Sequence, residues 1–119
     1  MAFAVLNEAA RLNPKNPTSP YMNGVAHIEY AASIDPPQSD SAKKDRDKAL
    51  EDAERFLLTA GELSGHKLAE VHLQLARIYE KRGDPVHAAN ELEKYLKKSP
   101  DEKNAQAIRE AIKKLRSAP

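Results

Sequence analysis

Residues 69–100 read AEVHLQLARIYEKRGDPVHAANELEKYLKKSP and contain two amphipathic segments joined by Gly83-Asp84-Pro85. The apolar residues of the first segment recur at offsets of three and four, which places them on one face of an α-helix. They are Val71, Leu75, Ala76, Ile78 and Tyr79. Gly83 can end this helix because it takes positive φ without a Cβ clash. Asp84 can cap the next helix, and Pro85 suits its first turn. The stretch therefore predicts a helical hairpin.

The second segment of this hairpin separates small and apolar residues from charged ones in the same way. Its predicted inner face carries Ala88, Ala89, Leu92, Tyr95 and Leu96. Its predicted outer face carries Glu91, Glu93, Lys94 and Lys97. The following Ser99-Pro100-Asp101-Glu102 has the pattern of a capping box with proline at the first helical position. It predicts that another helix begins there.

The spacing within the hairpin matches a known helical repeat. The positions that carry the match are His72-x2-Leu75-Ala76-x2-Tyr79, then Ala88-x3-Leu92, and then Pro100. The tetratricopeptide repeat (TPR) consensus is W-x2-L-G-x2-Y, A-x3-F and P on a period of about 34 residues. The stretch thus resembles a TPR, with His72 in the tryptophan position and Leu92 in the phenylalanine position. The resemblance implies that Ala76 lies where two helices approach closely.

Composition excludes several classes of function. The 119 residues include 19 basic and 18 acidic side chains, so the formal net charge is +1. Nucleic-acid binding and binding to anionic membranes need a concentrated basic surface, and we expect neither. The chain has no cysteine, which excludes disulfides and thiolate sites. No apolar run reaches the about 18 residues of a membrane helix, so we expect no membrane insertion. Cytoplasm and bacterial envelope both remain open as compartments.

The N-terminal residues 2–13 predict a short helix that ends at Asn13-Pro14. Ala2-x3-Leu6-x2-Ala9 followed by Pro14 resembles the second half of a TPR unit, so the chain begins in mid-repeat. We expect a fragment of a longer, bacterial TPR protein; an unusual N-terminal cap is the alternative. Without a partner helix, the apolar side of this segment is expected to drive formation of a homodimer. The residues predicted for self-association are Phe3, Leu6 and Ala10.

Residues 18–62 predict a second, less regular repeat. A helix is expected from about Pro20 to Ser33, with Gly24 as its small residue. The polar, proline-containing segment 34–47 is expected to be an inserted loop, partly shortened by an early helix start near Asp40 or Ser41. Residues 48–62, KALEDAERFLLTAGE, then align without gaps to residues 87–101, HAANELEKYLKKSPD.

The last helix is predicted over 100–117 by an apolar stripe at helical spacing. The stripe consists of Ala105, Ile108, Ala111, Ile112 and Leu115. A terminal helix with a polar outer face can close the core of a repeat array. The predicted fold is therefore all-α: a right-handed solenoid of TPR-like helical hairpins with about six helices, ending in this capping helix. Residues 1–119 are expected to form one domain, in which 2–13 are a half repeat and 18–62 and 66–99 are repeats.

The TPR resemblance implies a non-enzymatic module that binds a peptide or protein segment on the concave face formed by the first helix of each repeat. The alternative is a structural spacer or self-association module within a larger protein. The groove positions implied by the resemblance are Tyr21, Val25, Ile28, Glu29, Glu70, Leu73, Arg77, Glu80, Lys81 and Asn104.

No pattern in the sequence indicates catalysis, a cofactor or a metal. The four histidines are His27, His66, His72 and His87, and no two are spaced as metal ligands on one helix face. His72 is expected to be a core or groove side chain. Gly61-Glu-Leu-Ser64-Gly65 does not have the spacing of a nucleophile elbow. Ser64 is therefore interpreted as part of a helix end.

Overall fold

The computed structural model describes residues 16–100 and 103–117, and all regular secondary structure in these ranges is helical. The five described helices are α1 (Thr18–Ile34), α2 (Asp40–Leu63), α3 (Glu70–Lys81), α4 (Pro85–Lys98) and α5 (Ala105–Arg116). This confirms the predicted all-α, TPR-like fold class. The predicted helix over 2–13 lies outside the described residues. The chain divides between His66 and Lys67 into two compact units, and the single domain stays a prediction.

Helices α1 and α2 form the hairpin of the first unit, and Gly24 of α1 packs closely against Leu57 of α2. A Cβ at Gly24 would lie 2.7 Å from Cγ and 2.8 Å from Cδ2 of Leu57. These distances are shorter than van der Waals contact, so no side chain fits there while Leu57 keeps its position. The buried apolar residues on both helices are Ile28, Ala31, Ala49, Leu50, Ala53, Leu57 and Ala60.

The connection between α1 and α2 is shorter than the loop predicted over 34–47. Only residues 35–39 separate the helices, because α2 begins at Asp40, as the expected early start implies. Ser39 caps this helix, and its side chain accepts a hydrogen bond of 3.0 Å from the backbone N–H of Ala42. Arg46 Nη1 donates to Asp35 Oδ1 at 3.0 Å, and this hydrogen bond raises the pKa of Arg46. A polar segment thus forms a solvated helix face rather than a loop.

In the second unit, α3 and α4 form the predicted hairpin with the predicted turn chemistry. Gly83 has a φ of +74°, and its N–H bonds to the carbonyl oxygen of Glu80 at 3.0 Å. Asp84 caps α4 by accepting a hydrogen bond of 3.2 Å from the backbone N–H of His87. Pro85 occupies the first turn. The core between the two helices contains Val71, Leu75, Ala76, Ile78, Ala88, Ala89 and Tyr95.

Helix α5 packs against α4 through the predicted apolar stripe. Ala105 and Ile112 are buried, whereas Ile108, Ala111 and Leu115 are only half-buried. The helix begins at Ala105 rather than at Pro100, because Lys103 and Asn104 form a turn. The sequence-based start was therefore too early. Ala105 is the first residue of the apolar stripe and is buried, so the helix begins at the residue where its packing begins.

We predict that Gly24→Ala destabilises the protein, although alanine favours a helix over glycine by about 1 kcal/mol. The new methyl group overlaps Leu57, and such overpacking costs about 1–3 kcal/mol. The net loss in the free energy of unfolding, measured by urea denaturation, should be about 1 kcal/mol.

The control is the same substitution in a Leu57→Ala background, where the clashing atoms are gone. There Gly24→Ala should be neutral or stabilising. An equal loss in both backgrounds would show that the close approach at Gly24 is not the cause.

Candidate functional site

The face of α3 that points away from α4 is the candidate site in the second unit. Val71, Leu75 and Ile78 are buried on one side of α3. On the adjoining side, His72 and Tyr79 contact Glu91 and His87 of α4. The helical period of 3.6 residues turns the remaining positions away from these two sides. The predicted groove residues on this outer face are Glu70, Leu73, Arg77, Glu80 and Lys81. Glu70 and Glu80 are exposed, and the other three are half-buried. We call these five residues the α3 outer face.

The α3 outer face combines both signs of charge with one aliphatic side chain. Leu73 lies about one helical turn from Glu70 and Arg77 and about two turns from Glu80, because it is spaced by three, four and seven residues from them. Arg77 Nη1 donates a hydrogen bond of 2.8 Å to Gln74 Oε1, which orients the guanidinium along the helix. The face therefore offers an apolar centre within a charged rim, and its net charge is zero.

A cavity of about 370 Å³ lies at the C-terminal end of α3, and we call it the turn cavity. It is lined by Glu80, Gly83, Asp84, Pro85 and Leu115. The first four residues come from the end of α3 and the turn into α4, whereas Leu115 comes from α5. Glu80 belongs both to the α3 outer face and to this lining. No pattern in the sequence indicates this cavity, because the apposition of Leu115 and Pro85 depends on how α5 packs.

Inside the second unit, His72 pairs with Glu91 in the position where the TPR consensus has tryptophan. His72 Nδ1 lies 2.7 Å from Glu91 Oε2, and Lys94 Nζ donates to Glu91 Oε1 at 3.3 Å. Glu91 is only 8% exposed, so its predicted place on the outer face of α4 was wrong. A buried carboxylate is tolerated when it is hydrogen-bonded and paired, and these two partners provide that. His72 is thus a hairpin residue and not a groove residue.

The first unit places most of its predicted groove residues at the surface, with one exception. Tyr21 and Val25 are half-buried, and Glu29 is exposed. Ile28 is 0% exposed, so its assignment to the groove was wrong. It follows Gly24 by one helical turn and therefore lies on the side of α1 that packs against α2. In the second unit, Asn104 is exposed at the N-terminal end of α5.

A second cavity, of about 210 Å³, lies on the first hairpin and is lined by His27, Tyr30, Asp45, Lys48, Ala49 and Asp52. The carboxylate of Asp52 already accepts hydrogen bonds from Arg55 Nη2 at 2.6 Å and Lys48 Nζ at 3.1 Å. His27 Nδ1 lies 2.7 Å from the backbone oxygen of Asn23. Because its main charged groups bond within the hairpin, this cavity is a weaker candidate than the α3 outer face.

The remaining predictions about sites concern metals, membranes and self-association. Within residues 16–100 and 103–117, no three histidine, aspartate or glutamate side chains are grouped so that they could hold a metal ion. None of the described helices has the length and apolar character needed to cross a membrane. The residues predicted for self-association, Phe3, Leu6 and Ala10, lie outside the described part of the chain. Homodimerisation therefore stays a prediction.

We predict that Glu91 and His72 stabilise the hairpin as a coupled pair. Replacing either one by alanine removes the hydrogen bond of a largely buried polar atom on the other, Oε2 of Glu91 or Nδ1 of His72, which should lower the free energy of unfolding by about 1–3 kcal/mol. The double variant should lose less than the sum, with a coupling energy of about 1 kcal/mol measured by urea denaturation. Lys97→Ala, at an exposed position on the same helix, is the control and should change little. Strictly additive losses would contradict the pairing.

Comparison with known proteins adds one match to these observations. Residues 69–113 match the family model of the tetratricopeptide repeat. No curated protein and no solved structure gave a match. The matched residues contain α3, α4 and most of α5, whereas the first unit lies outside the match. The match agrees with the spacing of Leu75, Tyr79 and Ala88 and with the capped hairpin built around them. Residues 69–113 are therefore similar to a tetratricopeptide repeat, and the similarity covers the second unit only.

Proposed function

We propose that this chain is a non-enzymatic protein-interaction module that binds a peptide or protein segment on the α3 outer face. Tetratricopeptide repeats are protein-interaction repeats, and the first helix of such a repeat here is α3. The proposal assigns Leu73 as the apolar centre of the contact. Arg77 and Lys81 would bind acidic groups of the segment, and Glu70 and Glu80 would bind basic groups.

The observation that carries the proposal is the position of Leu73. This side chain lies on the side of α3 opposite the packed core and is only half-buried. Leu75 and Ile78 on another side of α3 are buried in the core, whereas Leu73 keeps part of its surface exposed. When a partner binds, the Leu73 side chain would be removed from water. Full burial of a leucine contributes about 1.5–3 kcal/mol to the free energy of binding.

The charged residues around Leu73 define the class of segment that fits. The α3 outer face carries both acidic and basic side chains. It therefore favours a segment that itself carries charges of both signs beside an apolar residue. Such charges contribute mainly to specificity and to the rate of association, whereas the apolar contact contributes most of the affinity. We therefore propose an extended or helical segment with one aliphatic or aromatic anchor.

The other predicted groove residues are assigned within each unit separately. In the first unit, Tyr21 and Val25 present half-buried apolar side chains next to the exposed Glu29, which is a similar combination of apolar and charged groups. Asn104 at the start of α5 offers an exposed amide. Tyr21, Val25 and Glu29 form a separate candidate surface on the first unit, and Asn104 is assigned as a secondary contact on the second unit. Ile28 is excluded because it is fully buried.

We predict that peptides selected against the purified full chain from a random display library lose affinity when the α3 outer face is altered. The altered protein carries Arg77→Glu and Lys81→Glu, or Leu73→Asp alone. Selected peptides should bind either variant about tenfold more weakly in calorimetric titrations, because each change removes a central contact.

The matched control is Lys43→Glu with Lys97→Glu, which changes the net charge equally at exposed positions on the second helix of each hairpin. Its affinity for the selected peptides should equal that of the unaltered chain, and thermal unfolding followed by circular dichroism confirms that every variant is folded. Peptides that bind the control and the Arg77/Lys81 variant equally would contradict the proposed face. A library that yields no binding peptide would contradict binding and favour the structural spacer.

A further inference from the structure

The turn cavity is the described feature whose lining points to one kind of side chain. Its volume of about 370 Å³ lies within the range of ligand sites in proteins, which begins at about 300 Å³. The space next to Gly83 is open, since a Cβ placed there would meet no atom within 4 Å. The cavity can therefore accept a side chain without any movement of the turn.

The lining has an apolar wall and an acidic rim. Pro85 and Leu115 provide aliphatic carbon atoms, and Glu80 and Asp84 provide two carboxylates. Among residues 16–100 and 103–117, no basic residue lines the cavity: Lys81 and Arg82 follow Glu80 in the sequence but are not part of the lining. The negative C-terminal end of α3 and the positive N-terminal end of α4 both lie at this turn and oppose each other, so the two carboxylates determine the sign of the potential. The cavity is thus complementary to a cation that also carries an apolar stem.

The two carboxylates differ in their existing contacts. Asp84 Oδ1 accepts the capping hydrogen bond from the backbone of His87, and Oδ2 lies 2.6 Å from the Nδ1 of the same residue. Glu80 is exposed, and among residues 16–100 and 103–117 the structure records no ion pair for it. Glu80 can therefore turn toward a new partner without breaking a contact that stabilises the hairpin, whereas Asp84 contributes long-range attraction.

We propose that the turn cavity binds a lysine or arginine side chain of the partner segment, an inference that rests on the proposed function of the α3 outer face. The aliphatic stem of the basic residue packs on Pro85 and Leu115, and its charged end binds Glu80 near Asp84. Glu80 lies both on the α3 outer face and in the cavity lining, so the segment that contacts Leu73 continues into the cavity. An acidic side chain would be repelled by both carboxylates, and a purely apolar one would remove Glu80 from water without a partner.

The test uses short blocked peptides and the isotopically labelled full chain, so that it does not depend on a selected binder. The probe is acetyl-Gly-Gly-Arg-Gly-Gly-amide, and the comparison probe has citrulline, which is isosteric with arginine but uncharged. Titration of the arginine probe should shift the Gly83 amide and Leu115 methyl resonances in a saturable manner. The citrulline probe should bind at least about threefold more weakly, as expected for the loss of one exposed ion pair.

Two variants and a control assign the effect to the cavity. Glu80→Gln should weaken binding of the arginine probe about threefold. Asp84→Asn keeps a good helix cap and should weaken it by a smaller factor. Glu62→Gln, an exposed glutamate near the C-terminal end of α2, should have no effect.

The outcomes separate this inference from the proposed function. Shifts that are equal for arginine and citrulline, or that are unchanged by Glu80→Gln, would overturn the assignment of a basic side chain to the cavity. Selected library peptides would in that case still depend on Leu73 if the proposed function is correct. A saturable, Glu80-dependent shift supports the cavity assignment.

Discussion

The close approach of antiparallel helices at small residues determines the rest of this structure. In the first unit, Gly24 leaves just enough room for Leu57 of the opposing helix. In the second unit, Ala76, Ala88 and Ala89 are almost completely buried between α3 and α4. At such positions a rotation of either helix would bring larger side chains into the contact. The packing therefore fixes the rotation of each helix, and with it the set of side chains that faces outward.

The outward face of α3 is thus a consequence of the core and not an independent feature. Val71, Leu75 and Ile78 are buried on one side of α3. On the adjoining side, His72 and Tyr79 contact Glu91 and His87 of α4. The remaining positions face away from both sides, and they carry Leu73 together with charged residues. His72 and Glu91 satisfy each other's polar groups inside the hairpin, so α3 and α4 can pack closely at this position. The pair occupies a position where the family consensus has an aromatic residue. A coupled polar contact replaces a large apolar one there without opening the hairpin.

The parts of the fold that depend on local chemistry could be predicted from the sequence. Gly83, Asp84 and Pro85 define a turn by their own backbone preferences, and the structure places the ends of α3 and α4 at that turn. The parts that depend on distant partners could not. Glu91 looks like a surface residue until His72 on the other helix is placed 2.7 Å away. Ile28 looks like a groove residue by analogy with its family, yet its register relative to Gly24 turns it inward. The turn cavity requires Leu115, whose position depends on the packing of α5.

The most direct test of this account is a cysteine scan along α3, for which the cysteine-free chain is suited. Single cysteines at each position from Glu70 to Lys81 would be alkylated under native conditions, and the rate of each reaction would be measured. The account predicts a period of about 3.6 residues, with fast reaction at Leu73, Arg77 and Glu80 and slow reaction at Leu75 and Ile78. Uniform rates along the helix, or fast reaction at Leu75, would contradict it.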